Sequence, residues 1–370
     1  MVEEIITALS RIRRLLVIAR NSSFTYKGQA VDIKQAGREL GVRYVLEGSV
    51  RKAGGRVRIT AQLIDATSGA HLWAERYDRE LADVFAVQDE IAERAAAAIE
   101  PQLFVAERVR SERKPPESLD AWESVVRAVS AIAQANQAGT ALAETMCRRA
   151  LDIAPDYGQA HSLLAWVLMQ RPYLSGALNA TLPEAASEAR LALAIDERDP
   201  WADLAQGVVL FRMKRHAEAE QAYRRALQFN PNFALAYGAL GQALAAQGKH
   251  DAAAESAEHA LRLSPGDPLV GGRAAHTIVF ARFAAGRYAE AIALARPMIE
   301  RYPEFLPFRY VLIAALGMEG DAEVAAQALA DLLRVKPDFS MAWLHENMPW
   351  AGDIGGRLLE GWRKAGVPEK

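Results

Sequence analysis

Apolar positions along the chain fall into two regimes that meet near residue 115. Before that point, helical spacing alternates with the two-residue period of strands; after it, only helical spacing remains. Val2, Ile5, Ile6, Leu9 and Ile12 predict an amphipathic helix over residues 2–12. The continuous apolar run Leu15–Ala19 (LLVIA) predicts a buried strand. Asp32 is placed to cap a second helix that ends at Leu40, with Gly41 as its stop signal. Three strands are then expected, Tyr44–Arg51, Arg56–Ile64 and Ala70–Tyr77. In the middle one, Val57, Ile59, Ala61 and Leu63 share one face, while Arg56, Arg58, Thr60 and Gln62 share the other. Trp73 and Tyr77 share a face of the third. Gly54-Gly55 and Thr67-Ser68-Gly69 supply the two hairpin turns. A long helix starts near Asp83, with Val84, Val87, Ile91, Ala95 and Ala98 inward and a possible kink at Pro101. The charged run Glu107–Lys114 and the breaker Pro115-Pro116 close this region, giving the order α-β-α-β-β-β-α.

The second regime repeats itself. A landmark of the form Ala-Leu-x-hydrophobic-x-Pro recurs, with variations, at Ala150–Pro155, Ala192–Glu197, Ala226–Pro231, Ala260–Pro265, Met298–Pro303 and Leu332–Pro337. The intervals are 42, 34, 34, 38 and 34 residues. The clearest unit is Ala234–Asp267. There Tyr237, Leu240, Gly241 and Leu244 form one helical face, Ala253, Ala257 and Ala260 form a second, and Gly248 separates them. Such spacing predicts paired helices in which small residues permit close approach. Six units are expected, at residues 124–157, 158–199, 200–233, 234–271, 272–305 and 306–339. The eight- and four-residue excesses are assigned to loops at Arg171–Pro183 and Pro268–Gly271. Residues 115–123 read as a linker. Residues 340–370 read as capping helices, with Trp343, Trp350 and Trp362 over the last apolar face.

Composition narrows the function classes only modestly. Of 370 residues, 51% are hydrophobic and 24% charged, which suits a chain with a substantial core. A formal net charge of −2 supplies no global field for nucleic acid or an anionic membrane. Cys147 is the single cysteine, so no intrachain disulfide can form, and its helical context predicts a buried, inert thiol. No run of 18 apolar residues suggests a membrane span, and the N-terminus does not read as a signal peptide, so a cytoplasmic location is the expectation.

The 34-residue unit resembles the tetratricopeptide repeat. The N-terminal stretches SRIRRLLVIARNSSFTYKG and GRELGVRYVLEGSVRKAGGRVRITAQLIDATSGAHLWAERYDRELADVFAVQDEIA resemble the TolB-like α/β domain. That domain accompanies tetratricopeptide repeats in bacterial adenylate cyclase-family proteins and in some winged-helix transcriptional activators. The expected fold is therefore a small α+β domain over residues 1–114, TolB-like and lacking its first strand, followed by an all-α tetratricopeptide-repeat solenoid over 124–339. Relatives place an apolar strand, and often a cyclase or DNA-binding domain, ahead of this point. A sheet edge left unpaired there is expected to favour self-association.

The resemblance implies a concave groove lined by the first helix of each pair. It assigns Ser162, Trp166 and Met169 to that groove from the second unit, and Trp201, Leu204, Val208 and Phe211 from the third. Arg273, His276, Phe280 and Phe283 come from the fifth, and Tyr310 and Ala314 from the sixth. Relatives that clamp a C-terminal carboxylate use Lys and Asn where this chain has Leu204, Gly238, His276 and Tyr310. An amphipathic helix or an extended apolar peptide is the expected partner. Packing of the same aromatics inside the solenoid, or against the N-terminal domain, is the alternative.

No catalytic constellation is legible. Gly54-Gly55 is not followed by a helix or by Lys-Ser/Thr, no Gly-x-Ser-x-Gly is present, and the seven histidines show no zinc-protease spacing. His250 and His259 read as solvated. Glu3-Glu4 and Asp89-Glu90 diverge on helices. No catalytic residue, metal ligand or cofactor site is assigned. The basic groups Arg11, Arg13, Arg14, Arg20, Arg51, Lys52, Arg56 and Arg58 read as a wet sheet face, so no nucleic-acid or membrane partner is expected. The function expected is a non-enzymatic interaction and signalling scaffold, the accessory region of an adenylate cyclase-like protein. The alternatives are a fragment or homologue of a working cyclase, and the accessory region of a winged-helix regulator.

Overall fold

The computed structural model describes residues 2–10, 17–18, 20–26, 31–80, 84–112, 119–175, 178–264 and 267–370. The chain forms two compact units, Met1–Arg110 and Ser111–Lys370.

In the first unit, helices α1 (Val2–Ser10), α2 (Arg20–Ser23) and α3 (Ile33–Leu40), with a 3-10 turn at Phe24–Tyr26, precede strands β1 (Tyr44–Ala53), β2 (Arg56–Asp65) and β3 (His71–Glu80). Helix α4 (Val84–Glu112) follows. The ends of α3 are those expected: the Asp32 side chain accepts from the Lys34 amide, and Gly41 takes the left-handed conformation at φ 65°. The strands form an antiparallel sheet in the order β1-β2-β3, with Tyr44 opposite Asp65 and Arg56 opposite Glu80. The alternation in β2 holds, since Val57, Ile59, Ala61 and Leu63 are all buried. Leu63 packs with Ile5, Ala8 and Leu9 of α1 and with Ala92, Ala95, Ala96, Ile99 and Leu103 of α4. Val57, Ile59, Tyr77 and Ile91 form a second cluster. The buried Glu107 carboxylate of α4 accepts from Arg43 Nη1 at 2.6 Å and from the Tyr44 hydroxyl, tying the start of β1 to the helix. The expected strand Leu15–Ala19 is not found where it can be checked: Val17 and Ile18 are in no strand, and residues 15, 16 and 19 lie outside the described residues. Val17 instead packs, half-buried, against the α1–α4 cluster.

The second unit is a stack of helix pairs: α5 (Ala121–Ile132) with α6 (Gln137–Ile153), α7 (Gly158–Ser175) with α8 (Leu178–Ile195), α9 (Pro200–Arg212) with α10 (His216–Phe229), α11 (Ala234–Ala246) with α12 (His250–Leu263), α13 (Pro268–Ala284) with α14 (Tyr288–Arg301), and α15 (Pro307–Glu319) with α16 (Ala322–Val335). Two terminal helices follow, α17 (Met341–Asn347) and α18 (Gly352–Lys364). The alanine face of α12 is fully enclosed, with Ala253, Ala257 and Ala260 at zero exposure. Cys147 is equally enclosed in α6, and burial pushes its thiol pKa up, so it stays unreactive.

The two loop insertions are corrected by the structure. Pro268–Gly271 is the first turn of α13, capped by Asp267, and makes that helix 17 residues long where α9, α11 and α15 have 13. Arg171–Pro183 belongs, apart from 176–177, to α7 and α8, each 18 residues long, with Pro183 inside α8. Four residues are close to one helical turn and eight to two, so such insertions lengthen a helix without rotating its apolar face. Insertion lengths near whole turns are therefore as compatible with longer helices as with loops.

Close approach depends on specific glycines. A Cβ at Gly241 of α11 would lie 2.8 Å from both the Ala253 carbonyl oxygen of α12 and Thr277 Cγ2 of α13. At Gly238, one turn away, a Cβ would meet nothing nearer than 3.9 Å. Gly241→Ala is therefore expected to cost roughly 1–3 kcal/mol by overpacking. Gly238→Ala should be neutral or stabilising by up to about 1 kcal/mol, through helix propensity. Urea midpoints of the two variants provide the check; equal midpoints would show that the pairs tolerate looser stacking.

Candidate binding groove

The first helices of successive pairs, α7, α9, α11, α13 and α15, carry the residues assigned to the groove. The structure buries nearly all of them. Ser162, Met169, Leu204, Phe280, Phe283 and Ala314 have no exposure, and Trp166, Trp201, Phe211, His276 and Tyr310 have under a tenth. Val208 and Arg273 are half-buried. The expected open aromatic trough is thus a closed, packed interior in this conformation.

The residues fall into connected groups. Trp166 of α7 meets Trp201 of α9 edge-on at 6.4 Å, and Trp201 meets Phe233 at 5.0 Å. On α13, His276 lies 5.9 Å from Phe305 and 5.7 Å from Phe308, and it stacks towards Phe280 at 6.3 Å. Arg273 joins these groups: its guanidinium lies 5.1 Å from the Trp166 ring and 5.9 Å from the Phe305 ring. Arg273 belongs to the fifth pair and Trp166 to the second, so the stack curls enough for its inner face to meet itself. A cavity of about 80 Å³ remains, lined by Trp166, Leu204, Val208, Phe211, Gly238, Gln242, Arg273, His276 and Phe305 among others. Each water needs roughly 10–15 Å³ of such space, so the cavity admits several waters. Phe283 stacks on Phe280 at 6.4 Å and packs beside Tyr288 at 5.2 Å; Tyr310 stands elsewhere, stacked on Phe339 at 5.0 Å.

The occupant of the inner face comes from the chain's own C-terminal region. Trp343 and Trp362 cover the last pair as expected, with Trp343 5.7 Å from Tyr310 and Trp362 Nε1 donating to the Tyr310 carbonyl at 2.8 Å. Trp350 does not. It stacks on Phe280 at 3.8 Å with the rings 19° apart, and meets Phe211 edge-on at 5.2 Å. Arg212, at the end of α9, donates from Nη1 to the Asn347 carbonyl at 2.9 Å, and from Nε and Nη2 to the Met169 carbonyl. His216 Nε2 donates to the Pro349 carbonyl at 2.9 Å. The Leu178 amide donates to Asn347 Oδ1 at 3.3 Å. Arg212, His216, Asn347 and Trp350 were missed as groove residues. A buried arginine closing an apolar helix was the only available signal, because contacts 133–169 residues apart leave no periodic trace.

The electrostatics are those of a desolvated interior. Burial lowers the His276 pKa to about 4, and its Nδ1 has no hydrogen-bond partner among the described residues. Burial also holds His216 below its ordinary value, against the raising effect of the Pro349 carbonyl. Half-burial lowers His259 as well, so the expected solvated state does not hold for it. Among the described residues, no group of three or more His, Cys, Asp or Glu could hold a metal ion, and no helix is long and apolar enough to cross a membrane. On the sheet, Arg58 pairs with Asp78 at 2.6 Å, which partly neutralises the basic face; Arg11, Arg13 and Arg14 lie outside the described residues.

The tetratricopeptide-repeat family profile matches residues 204–268. A protein of Rhizobium meliloti (strain 1021) named "Putative adenylate cyclase 3" is 44% identical over 222 residues, covering 60% of this chain and 38% of that one. The chain thus spans well under half the length of that curated relative. A thermophilic tetratricopeptide-repeat protein of Thermus thermophilus is 19% identical, with a TM-score of 0.42 over 53% of this chain and 98% of its own. A tetratricopeptide-repeat protein of Parabacteroides merdae ATCC 43184 is 16% identical, with a TM-score of 0.38 over 66% and 92%. Residues 204–268 thus carry tetratricopeptide repeats, within an array of helix pairs.

The depressed His276 pKa makes stability fall with acid. The unfolded chain takes up the proton near pH 6.5 and the folded one only near pH 4, so stability present above pH 6.5 is lost as pH falls towards 4. The expected slope is about 1.4 kcal/mol per pH unit within that window. Urea melts at pH 7 and pH 5 should show the loss, and His276→Phe should reduce the difference by about that slope per unit. An unchanged difference would mean that His276 is hydrated in the folded protein.

Proposed function

We propose that this chain is a non-enzymatic protein-interaction scaffold, the accessory region of an adenylate cyclase-like protein, with a TolB-like domain at its N-terminal end. The observation that carries this reading is the inner face of the array. The second, third and fifth pairs direct Trp166, Phe211, Arg273, His276 and Phe280 to one interior surface, where large aromatic groups and few charges meet. Tetratricopeptide repeats use that surface for peptide segments, as helices or extended chain. The relative's name supports the association with cyclases, while its extra length leaves room for a catalytic domain outside the region shared with this chain.

Two measurements test the proposal. Purified chain incubated with ATP or GTP and Mn²⁺ should yield no cyclic nucleotide above a blank; turnover that co-purifies with the chain through successive columns contradicts the non-enzymatic part. A phage-displayed peptide library selected on the chain carrying Trp350→Ala, which weakens the resident segment's hold on the inner face, should enrich a common apolar motif. The absence of any enrichment above empty matrix contradicts the scaffold part.

A further inference from the structure

The inner face is held by a segment that binds as a foreign peptide would. Asn347–Trp350 (NMPW) runs from the last residue of α17 towards α18, with Asn347, Met348 and Pro349 buried. Met348 is extended, at φ −87° and ψ 132°, as a residue before proline must be to avoid a clash. The Leu178 amide binds the Asn347 side chain, and two further groups address the main chain: Arg212 binds the Asn347 carbonyl and His216 the Pro349 carbonyl. These main-chain contacts are indifferent to the identity of the residues they hold. Beyond Asn347, sequence is read at the slot where Trp350 lies flat on Phe280 and edge-on to Phe211.

Helix α18 does not depend on this seating. Helix α18 is fixed independently against α15: Trp362 donates to Tyr310, and a Cβ at Gly317 would fall 1.9 Å from the Gly361 carbonyl oxygen, so the two backbones touch. The segment can therefore leave the slot while α18 stays docked. Trp350 is the most open residue of the four, only half-buried, which gives an incoming aromatic ring a point of entry.

Resting on the scaffold reading, we propose that this slot, with its Arg212 and His216 donors, recognises an extended peptide bearing a proline followed by an aromatic residue, and that Asn347–Trp350 is the resident occupant such a partner displaces. A tethered segment acts at an effective concentration on the order of millimolar, so the wild-type chain masks its own site and a partner must outcompete it.

The test uses the full chain and a fluorescein-labelled synthetic peptide of residues 345–353, read by anisotropy. Trp350→Ala should bind the peptide at least tenfold more tightly than wild type. A peptide with alanine in place of its tryptophan should bind neither protein. Should Trp350→Ala fail to melt cooperatively, Trp350→Leu, which keeps apolar bulk without a flat ring, carries the same expectation. Equal affinity for wild type and variant, or no binding to either, overturns the proposal. So does a wild-type dimer that Trp350→Ala converts to monomer, which would assign the slot to a second copy. A library motif selected on Trp350→Ala that lacks an aromatic residue overturns this inference and leaves the scaffold reading in place.

Discussion

Everything in the larger unit depends on how closely its helices approach. A helix pair buries only one side of each member, and the remaining apolar surface must be covered by the next pair. The fully enclosed alanines of α12 and the glycines at 207 and 241 remove side chains from the seams. Gly207 admits the Tyr223 ring, and Gly241 admits the backbone of α12. With the seams closed this tightly, Trp166, Phe211 and Phe280 are left to the inner face. The same small residues that permit stacking therefore concentrate Trp166, Phe211 and Phe280 where a ligand would lie.

Curvature then converts a row of rings into a closed site. Arg273 spans from the fifth pair to Trp166 of the second, and Arg212 and His216 of the third pair and its turn hold the chain just before α18. Removing Phe280 would cost about 3–5 kcal/mol of folding stability, typical for a fully buried phenylalanine. Phe280→Ala is consequently a poor probe of binding. Trp350, half-exposed and outside the stacked pairs, separates recognition from stability far better.

The sequence showed the architecture where a local period carries it. The Ala-Leu-x-hydrophobic-x-Pro landmark falls at the end of the second helix of each pair, and the alternation Val57, Ile59, Ala61, Leu63 located the central strand and its buried face. Asp32 and Gly41 marked both ends of α3 because capping is a local interaction. Insertions were misplaced because helical extensions of near-whole turns preserve the apolar register. LLVIA invited a strand because continuous apolar character does not separate a strand from an irregular segment packed on a core, as Val17 is. The residues assigned to the groove lie on first helices of their pairs, and the structure takes the alternative, packing them inside the array. Trp350 meets Phe280 from 70 positions away, and no spacing rule reaches that far.

The central claim is that partners bind the inner face of the array, in competition with Asn347–Trp350. Hydrogen exchange of the intact chain, with and without a library-selected peptide, tests it most directly. The account predicts slower exchange in α9 and α13, faster exchange in residues 347–351, and little change in the outer helices α10, α12 and α16. Protection confined to those outer helices, or to the sheet at residues 44–80, would contradict it.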